Sequence, residues 1–560
     1  MAGSASVAIP IAIVALGALV SAFLIILHSR SPSQESSSIS TPENVTHPVY
    51  ISLHQACGAT RHPQTCESTL SSPPNQASAN AQYDAVGMLQ YATKVVAGEL
   101  KVARNTVSHI ADTVVDNQNV SRAAKICVEL LENAAYRMSS TSEALPRGEI
   151  KDARAWMSAA LVYESACMSG LNKTANKLPW ANVTVTSLES LLNLTSDALS
   201  MMVSYDVFGN DTRLWSPPRT ERDGFWEHVN GSGQEFDWKF PAGLMADVTV
   251  CNGGAENVNC DFKKVQEAVN AAPDKDGGRR FVISIKEGVY NETVRVPLQK
   301  KNVVFLGDGM GKTVITGSLN VGQPGMTTYD SATVGVIGDG FMARDLTIEN
   351  TAGPDAHQAL AFRSDSDRSI LQNCEFLGNQ DTLCANTLRQ FYRSCRVQGN
   401  VDFVFGFSAA VFQDCLVLVS SRGAVASNNN VVSAHGRFDP AQSTGFVFVN
   451  CTVNGTDDYI ALCKDNPKNC VNYLGRPWKQ YSRTVFVRSL LGSLVAPQGW
   501  MPWDGDFALS TLYYGEFENS GPGSDLSQRE KWSSEIPADH VGTYSVQNFI
   551  QGDKWIPTSF

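Results

Sequence analysis

The spacing of apolar residues changes character along the chain. Residues 7–27 carry no charge, a run of 21 apolar or small residues. That is long for a signal-peptide core and enough to span a bilayer. No Lys or Arg precedes it and Arg30 follows. The expectation is a signal-anchor, with signal-peptide cleavage near residues 29–33 as the alternative. A Ser/Thr/Pro-rich linker completes residues 1–47. From 48 to 205 the apolar positions recur every three to four residues. Stripes over 83–100, 123–138, 153–168 and 188–203 predict helices that pack as a four-helix bundle. Pro217, Pro218, Gly231 and Gly233 break any regular pattern over 206–245, which reads as a linker. From 246 to 560 short β-branched and aromatic runs take over, at 281–285, 303–305, 314–315 and 346–348. Turns rich in Gly, Asn and Asp separate them. Residues 264–272 form a short helical pattern suited to capping an open solenoid end.

Within this last region one pattern repeats. Asn373-Cys374-Glu375-Phe376 is followed by Gly378-Asn379-Gln380-Asp381, and Ser394-Cys395-Arg396-Val397 by Gly399-Asn400-Val401-Asp402. The corner returns at Asp414-Cys415 and Asn450-Cys451. A period near 20 residues with strand-like runs is a solenoid signature, and stacked coils of a parallel β-helix fit it. Equivalent positions on adjacent coils then lie about 4.8 Å apart along the stack. Asp381 and Asp402 become neighbours, and Gln358, 22 residues before Gln380, adds an amide column beside them. Two close carboxylates resist joint ionisation, which yields one acid and one base or nucleophile. The competing reading of the pair is an Asn/Asp ladder that only caps turns.

Composition is that of an ordered globular protein, 43% apolar and 18% charged over 560 residues. A net charge of −11 argues against a nucleic-acid partner. It also gives no general attraction to a polyanion, so an acidic polymer must be gripped locally or be neutralised as its ester. Thirteen cysteines and ten N-x-[ST] sequons, at Asn44, Asn119, Asn172, Asn182, Asn193, Asn210, Asn230, Asn291, Asn450 and Asn454, imply a secretory route. An odd cysteine count leaves at least one thiol unpaired or paired between molecules. Cys251 and Cys260 bracket a Gly/Asn loop, and Cys463 and Cys470 close another; both pairs are expected to bridge locally. Cys374 and Cys395 are in register one coil apart, so pairing between them stays open. GDGMGKT at 307–313 is not a phosphate loop, because Leu306 stands where the motif needs Gly.

QALAF at 358–362, QDTL at 380–383, GNVDFVFG at 399–406 and YLGRPWK at 473–479 resemble plant pectin methylesterases. GVYNE at 288–292, NTAGP at 350–354 and GWMPWDG at 499–505 agree, in the family's order. The resemblance implies a right-handed parallel β-helix over 246–560. It also implies that 48–205 is the inhibitor-like pro-region many plant members carry, with Cys57 bridged to Cys66 and Cys127 to Cys167. Cys415–Cys451 is implied as a bridge between neighbouring coils, and Cys384 is expected to be the odd thiol. The implied reaction removes methyl esters from homogalacturonan in the cell wall, releasing methanol, with no metal or cofactor. Asp402 would be the nucleophile, Asp381 the proton donor and later base, and Gln380 with Gln358 the oxyanion donors. Arg476 would hold Asp402 ionised and Trp478 would stack on a sugar ring. Thr328 matches a substrate-contacting position, and Phe405 and Trp500 are further groove walls. Two departures stand out. Cys384 occupies a position that is usually aromatic, and 206–245 lacks the basic dipeptide at which related precursors are cut, with Arg219 and Arg222 flanking Thr220-Glu221 instead.

Two other functions compete. Close carboxylates also suit a retaining glycosidase, and the helical part could act without catalysis, by silencing an esterase. The paired amides and Arg476 favour the esterase. No G-x-S-x-G is present to support a serine hydrolase.

Overall fold

The structure, a computed structural model, describes residues 50–557 except 73–74, 76–80, 115–116, 176–178, 228, 230–237, 239, 253–259, 275–277, 424–428 and 466–469. The apolar stretch 7–27, the linker 31–47 and the sequons at Asn44 and Asn230 lie outside the described residues. Among the described residues no helix is long and apolar enough to cross a membrane.

Two short helices, Leu53–Gly58 and Pro63–Leu70, lead into four long ones. These are Ala85–Thr113, Gln118–Ala144, Ile150–Ala175 and Pro179–Phe208. Asp84 and Asn117 start the first two long helices by accepting hydrogen bonds from the Gly87 and Val120 amides. The predicted stripes meet in one core that includes Leu89, Val96, Leu131, Met138, Met157 and Leu199. Disulfides Cys57–Cys66 and Cys127–Cys167 staple it.

The second part is a stack of parallel coils. A seven-stranded parallel sheet contains Val294–Val296, Val334–Val336, Phe362–Ser364, Leu383–Ala385, Val401–Gly406, Asn429–His435 and Val471–Gly475. The remaining strands form a 17-stranded parallel assembly. In-register stacking follows the sequence repeat. Tyr392, Phe412, Phe448 and Phe486 pair in register, with successive ring centroids 4.7, 4.7 and 4.4 Å apart. The recurring residue before each cysteine has a physical reason. Asn373, Ser394, Asp414 and Asn450 all take a left-handed backbone, φ 49–56°, at the coil corner, which Asn and Asp tolerate best. The helix Val265–Ala271 buries Val265, Ala268 and Val269 against the first coil, as a cap.

Disulfides Cys251–Cys260 and Cys463–Cys470 close local loops. The expected Cys415–Cys451 bridge is absent: both are buried free thiols, as are Cys374, Cys384 and Cys395. Residues stacked in register point the same way, so their Cβ atoms keep the strand spacing of about 4.8 Å, wider than the ~3.8 Å typical of a disulfide. Each sulfur turns to a carbonyl instead. Cys451 Sγ donates to Phe412 O at 3.3 Å and Cys415 Sγ to Gln413 O at 3.3 Å.

The stretch 206–245 is irregular but not loose. Trp226 stacks on His540 at 4.4 Å, and Trp238 is buried against Phe391 on the outer face of the strands. Glu221 pairs with Arg483 at 3.0 Å in the β-helix, while Glu227 pairs with Arg154 at 2.8 Å in the bundle. The bundle itself docks on the turns that follow the seven-stranded sheet. Arg137 grips Asp339 with two bonds of 2.7 Å, and Asp152 takes Arg389 at 2.5 Å and Arg368 at 2.8 Å. Trp156 donates to Asp367 at 2.9 Å, and Arg61 and Ser196 both reach Asp439 at 2.6 Å. The bundle's apolar core continues without a break into Leu388 and Ala441 of the β-helix.

Candidate active site

The seven-stranded sheet builds the site. Its outward residues Arg363, Cys384, Phe405 and Ala434 stand in register on successive strands and form a floor. Just upstream on two adjacent coils are Asp381 and Asp402. The Asp381 amide donates to Val401 O at 3.0 Å, which locks the two segments together. Both aspartates hold left-handed backbones, φ 64° and 51°, at the same corner of successive coils. Such strain persists where the surroundings over-determine it, and it gathers at functional sites.

The two acids are only 7% and 6% exposed, yet they differ in partners. Arg476 holds Asp402 with a bidentate pair, Nε to Oδ1 at 2.8 Å and Nη2 to Oδ2 at 2.6 Å. Burial pushes the Asp402 carboxyl up; the Arg476 bond and charge, with Arg422, pull it back, leaving it modestly above the usual value. Burial, then the charge of Asp402, pushes Asp381 well above the usual range, and Arg476 offsets little of that. The proton of the pair therefore sits on Asp381. Gln358 and Gln380 lie on adjacent coils, joined by the Ala359 amide to Gln380 O at 3.2 Å. Among the described residues their side-chain amides make no hydrogen bond to protein, so they are free to donate outward. A buried nucleophilic carboxylate, a protonated neighbour and two open amide donors can together perform acyl transfer.

Trp478 rests on Phe405 at 5.9 Å and Phe407 at 4.6 Å, packed against the cluster of Cys384, Leu360 and Ala434. Its seat needs Gly436, where a Cβ would lie 2.5 Å from the Phe407 ring and 2.9 Å from Trp478. Thr328 precedes the turn Tyr329–Ser331, whose Tyr329 ring lies 3.4 Å from the Arg363 guanidinium. Trp500 does not line the groove. It is 0% exposed, in the coil interior, 4.4 Å from Tyr514 and donating to Glu516 at 3.2 Å. The Gly475–Trp500 bridge ties that residue to the end of the sheet and turns its side chain inward. The residue of that motif beside the dyad is Trp503, 37% exposed and 4.3 Å above the Arg476 guanidinium. Sequence reasoning missed it. The available signal was Pro502 between two tryptophans, which forces a turn and sends them in different directions. Also missed were Tyr329, Arg363 and the charge of Arg422, none of which stands out by residue type.

Comparison with known proteins points to one family for each part of the chain. Residues 247–553 match the family model described as pectinesterase, and residues 52–201 the one described as plant invertase/pectin methylesterase inhibitor. A "Probable pectinesterase/pectinesterase inhibitor 64" of Arabidopsis thaliana is 57% identical over 515 residues, 90% of this chain and 85% of its own length. A "Pectinesterase 2" of Citrus sinensis is 39% identical over 507 residues, 90% of this chain and 92% of its own. Among solved structures, a pectin methylesterase from carrot aligns with a TM-score of 0.53 at 43% identity, covering 57% of this chain and 99% of that one.

Proposed function

The chain belongs to the pectinesterase family, with an inhibitor-type helical region ahead of the enzyme, and from that premise we propose that Asp402 and Asp381 divide the work of removing methyl esters from pectin. The observation that carries the assignment is the bidentate Arg476–Asp402 pair beside an acid without such a partner. Asp402 Oδ attacks the ester carbonyl of a methylated galacturonosyl unit. The amides of Gln380 and Gln358 bind the oxyanion as it forms. Asp381 passes its proton to the departing methoxide, and methanol leaves an acyl-enzyme. Asp381, now ionised, takes a proton from water; the hydroxide displaces Asp402 and frees the polymer carboxylate. Trp478 and Phe405, with Thr328, line the path of the sugar chain.

Methanol release after rapid mixing with esterified pectin tests the division of roles. Asp402→Asn gives no burst and no turnover. Asp381→Asn gives a burst of about one methanol per enzyme and then near arrest, because an amide donates a hydrogen bond but cannot activate water. A burst confined to Asp402→Asn reverses the assignment.

The docked bundle supports a second element of the reading: the helical region holds the enzyme quiet. Its apolar core packs against Tyr329 and Phe438. Tyr329 adjoins Thr328, and Phe438 touches Phe407 beneath Trp478, so the bundle borders one rim of the groove. The protein works outside the cell on wall pectin, in keeping with its family. The stretch 7–27 serves as a signal-anchor; a mature N-terminus beginning near residues 29–33 would refute the anchor.

A further inference from the structure

We propose that Trp503 is a positioning residue for the nucleophile, acting through Arg476: its ring covers the flat face of the guanidinium whose edge holds Asp402. The inference rests on the assignment of Asp402 as nucleophile. Arg476 spends its Nε and Nη2 on Asp402, at 2.8 and 2.6 Å, and lies 4.3 Å below the Trp503 ring. The pair sits at a boundary, since the Asp402 side chain is 8% exposed and that of Arg476 21%. Trp503 is the aromatic cover between this ion pair and solvent. A guanidinium so covered loses less to water and moves less, which keeps its fork aligned with the carboxylate.

The ring is itself held from below. Trp500, three residues earlier, is anchored in the coil interior, and the Met501 amide donates to Gly475 O at 3.0 Å, one residue before Arg476. Gly505, φ 49°, closes the turn on the other side. The segment that carries Arg476 and the segment that covers it are thus tied to each other at their bases. The other charged and titratable groups facing the pair are Asp381 and Arg422 around Asp402, and Tyr514, bonded to Ser482 at 2.8 Å beneath Arg476. Substitution at Trp503 leaves all three in place.

The test compares the full chain with Trp503→Leu and Trp503→Phe, measuring methanol release against pectin concentration and pH. Asp402 must be ionised to attack, so a weaker hold by Arg476 raises its pKa and moves the acid limb of kcat to higher pH. Trp503→Leu is expected to move that limb up by about half a unit or more and to cut kcat about tenfold, with KM changing less. Trp503→Phe restores both, because it returns an aromatic face. A rise in KM alone, with kcat and the acid limb unmoved, reduces Trp503 to a sugar-stacking surface and overturns the inference. A thermal double-mutant cycle of Trp503→Leu with Arg476→Leu needs no turnover. Non-additive stability losses are expected, and simple additivity counts against the coupling. Asp402→Asn is the control: residual turnover there removes the premise, whereas a dead Asp402→Asn beside an unmoved acid limb removes only the role of Trp503.

Discussion

Asp381 and Asp402 share a corner, a backbone conformation and near-complete burial, and differ in which of them Arg476 holds by hydrogen bonds. Arg476 grips Asp402 and pulls its carboxyl back against burial, while Asp381, pushed up by burial and by the Asp402 charge, stands well above the usual range. Activity is expected to follow a bell whose limbs both belong to the pair, measured as kcat against pH. The same asymmetry has a stability consequence. Asp381 titrates far above its unfolded value, about 3.9. Over that window the folded state keeps a proton that the unfolded chain has released, so stability falls as pH rises, by about 1.4 kcal/mol per unit. Asp381→Asn removes this penalty. The variant should gain thermal stability over wild type at pH 7 and show little gain near pH 4, as read by melting temperature; a gain independent of pH would contradict the raised value. Arg476→Lys replaces the two-pronged hold by a point charge, and kcat should fall by about 100-fold while the fold persists.

At the scale of elements, the coil works by repetition. Tyr392, Phe412, Phe448 and Phe486 stack through four coils, and all four are fully buried in the core. Phe448→Ala opens a cavity between two rings and should cost about 3–5 kcal/mol, measurable by denaturant unfolding. The cysteine column follows the same parallel register, and its members are buried free thiols. Without reductant, five thiols should react with a thiol reagent once the protein is unfolded and essentially none before, matching the five buried free cysteines. Three reactive thiols would restore the Cys415–Cys451 bridge.

At the scale of the molecule, the bundle and the β-helix are joined through buried ion pairs, and the connecting stretch reaches into both. Burial pushes Asp152 up, but Arg389 and Arg368 pull it below the usual carboxylate value. Burial of Glu227 is likewise overcome by Arg154 and Lys151, which hold it well below. Depressed carboxylates contribute stability that is present above the unfolded pKa, about 4, and is lost only as pH falls through the depressed values. Docking should therefore persist unchanged from pH 7 to 5, and a cut in the connection should leave the bundle bound in gel filtration across that range. Release by mild acid alone would refute it. If the docked bundle restrains the enzyme, full-length protein releases methanol more slowly than residues 246–560. Asp152→Ala, which strips Arg389 and Arg368 of their shared partner, should move the full-length rate toward the faster one; equal rates in all three proteins would end the autoinhibitory reading.

Local rules carried much of this protein in its sequence. Helical spacing announced the bundle, and corner residues recurring near every 20 positions announced stacked coils. The register of those coils brings Asp381 beside Asp402, because a solenoid turns sequence period into spatial adjacency. What period cannot encode is direction and long-range company. Trp500 and Trp503 look alike in sequence, yet a bridge to Gly475 buries the first and a turn at Pro502 brings the second over Arg476. Cys415 and Cys451 are adjacent by register, yet parallel side chains keep their sulfurs on separate carbonyls. The stretch 206–245 reads as a linker because it lacks period. Only the packed molecule supplies the arginines that pair with Glu221 and Glu227, on two different bodies of the fold, and residues more than 70 positions apart can find each other only once both bodies exist.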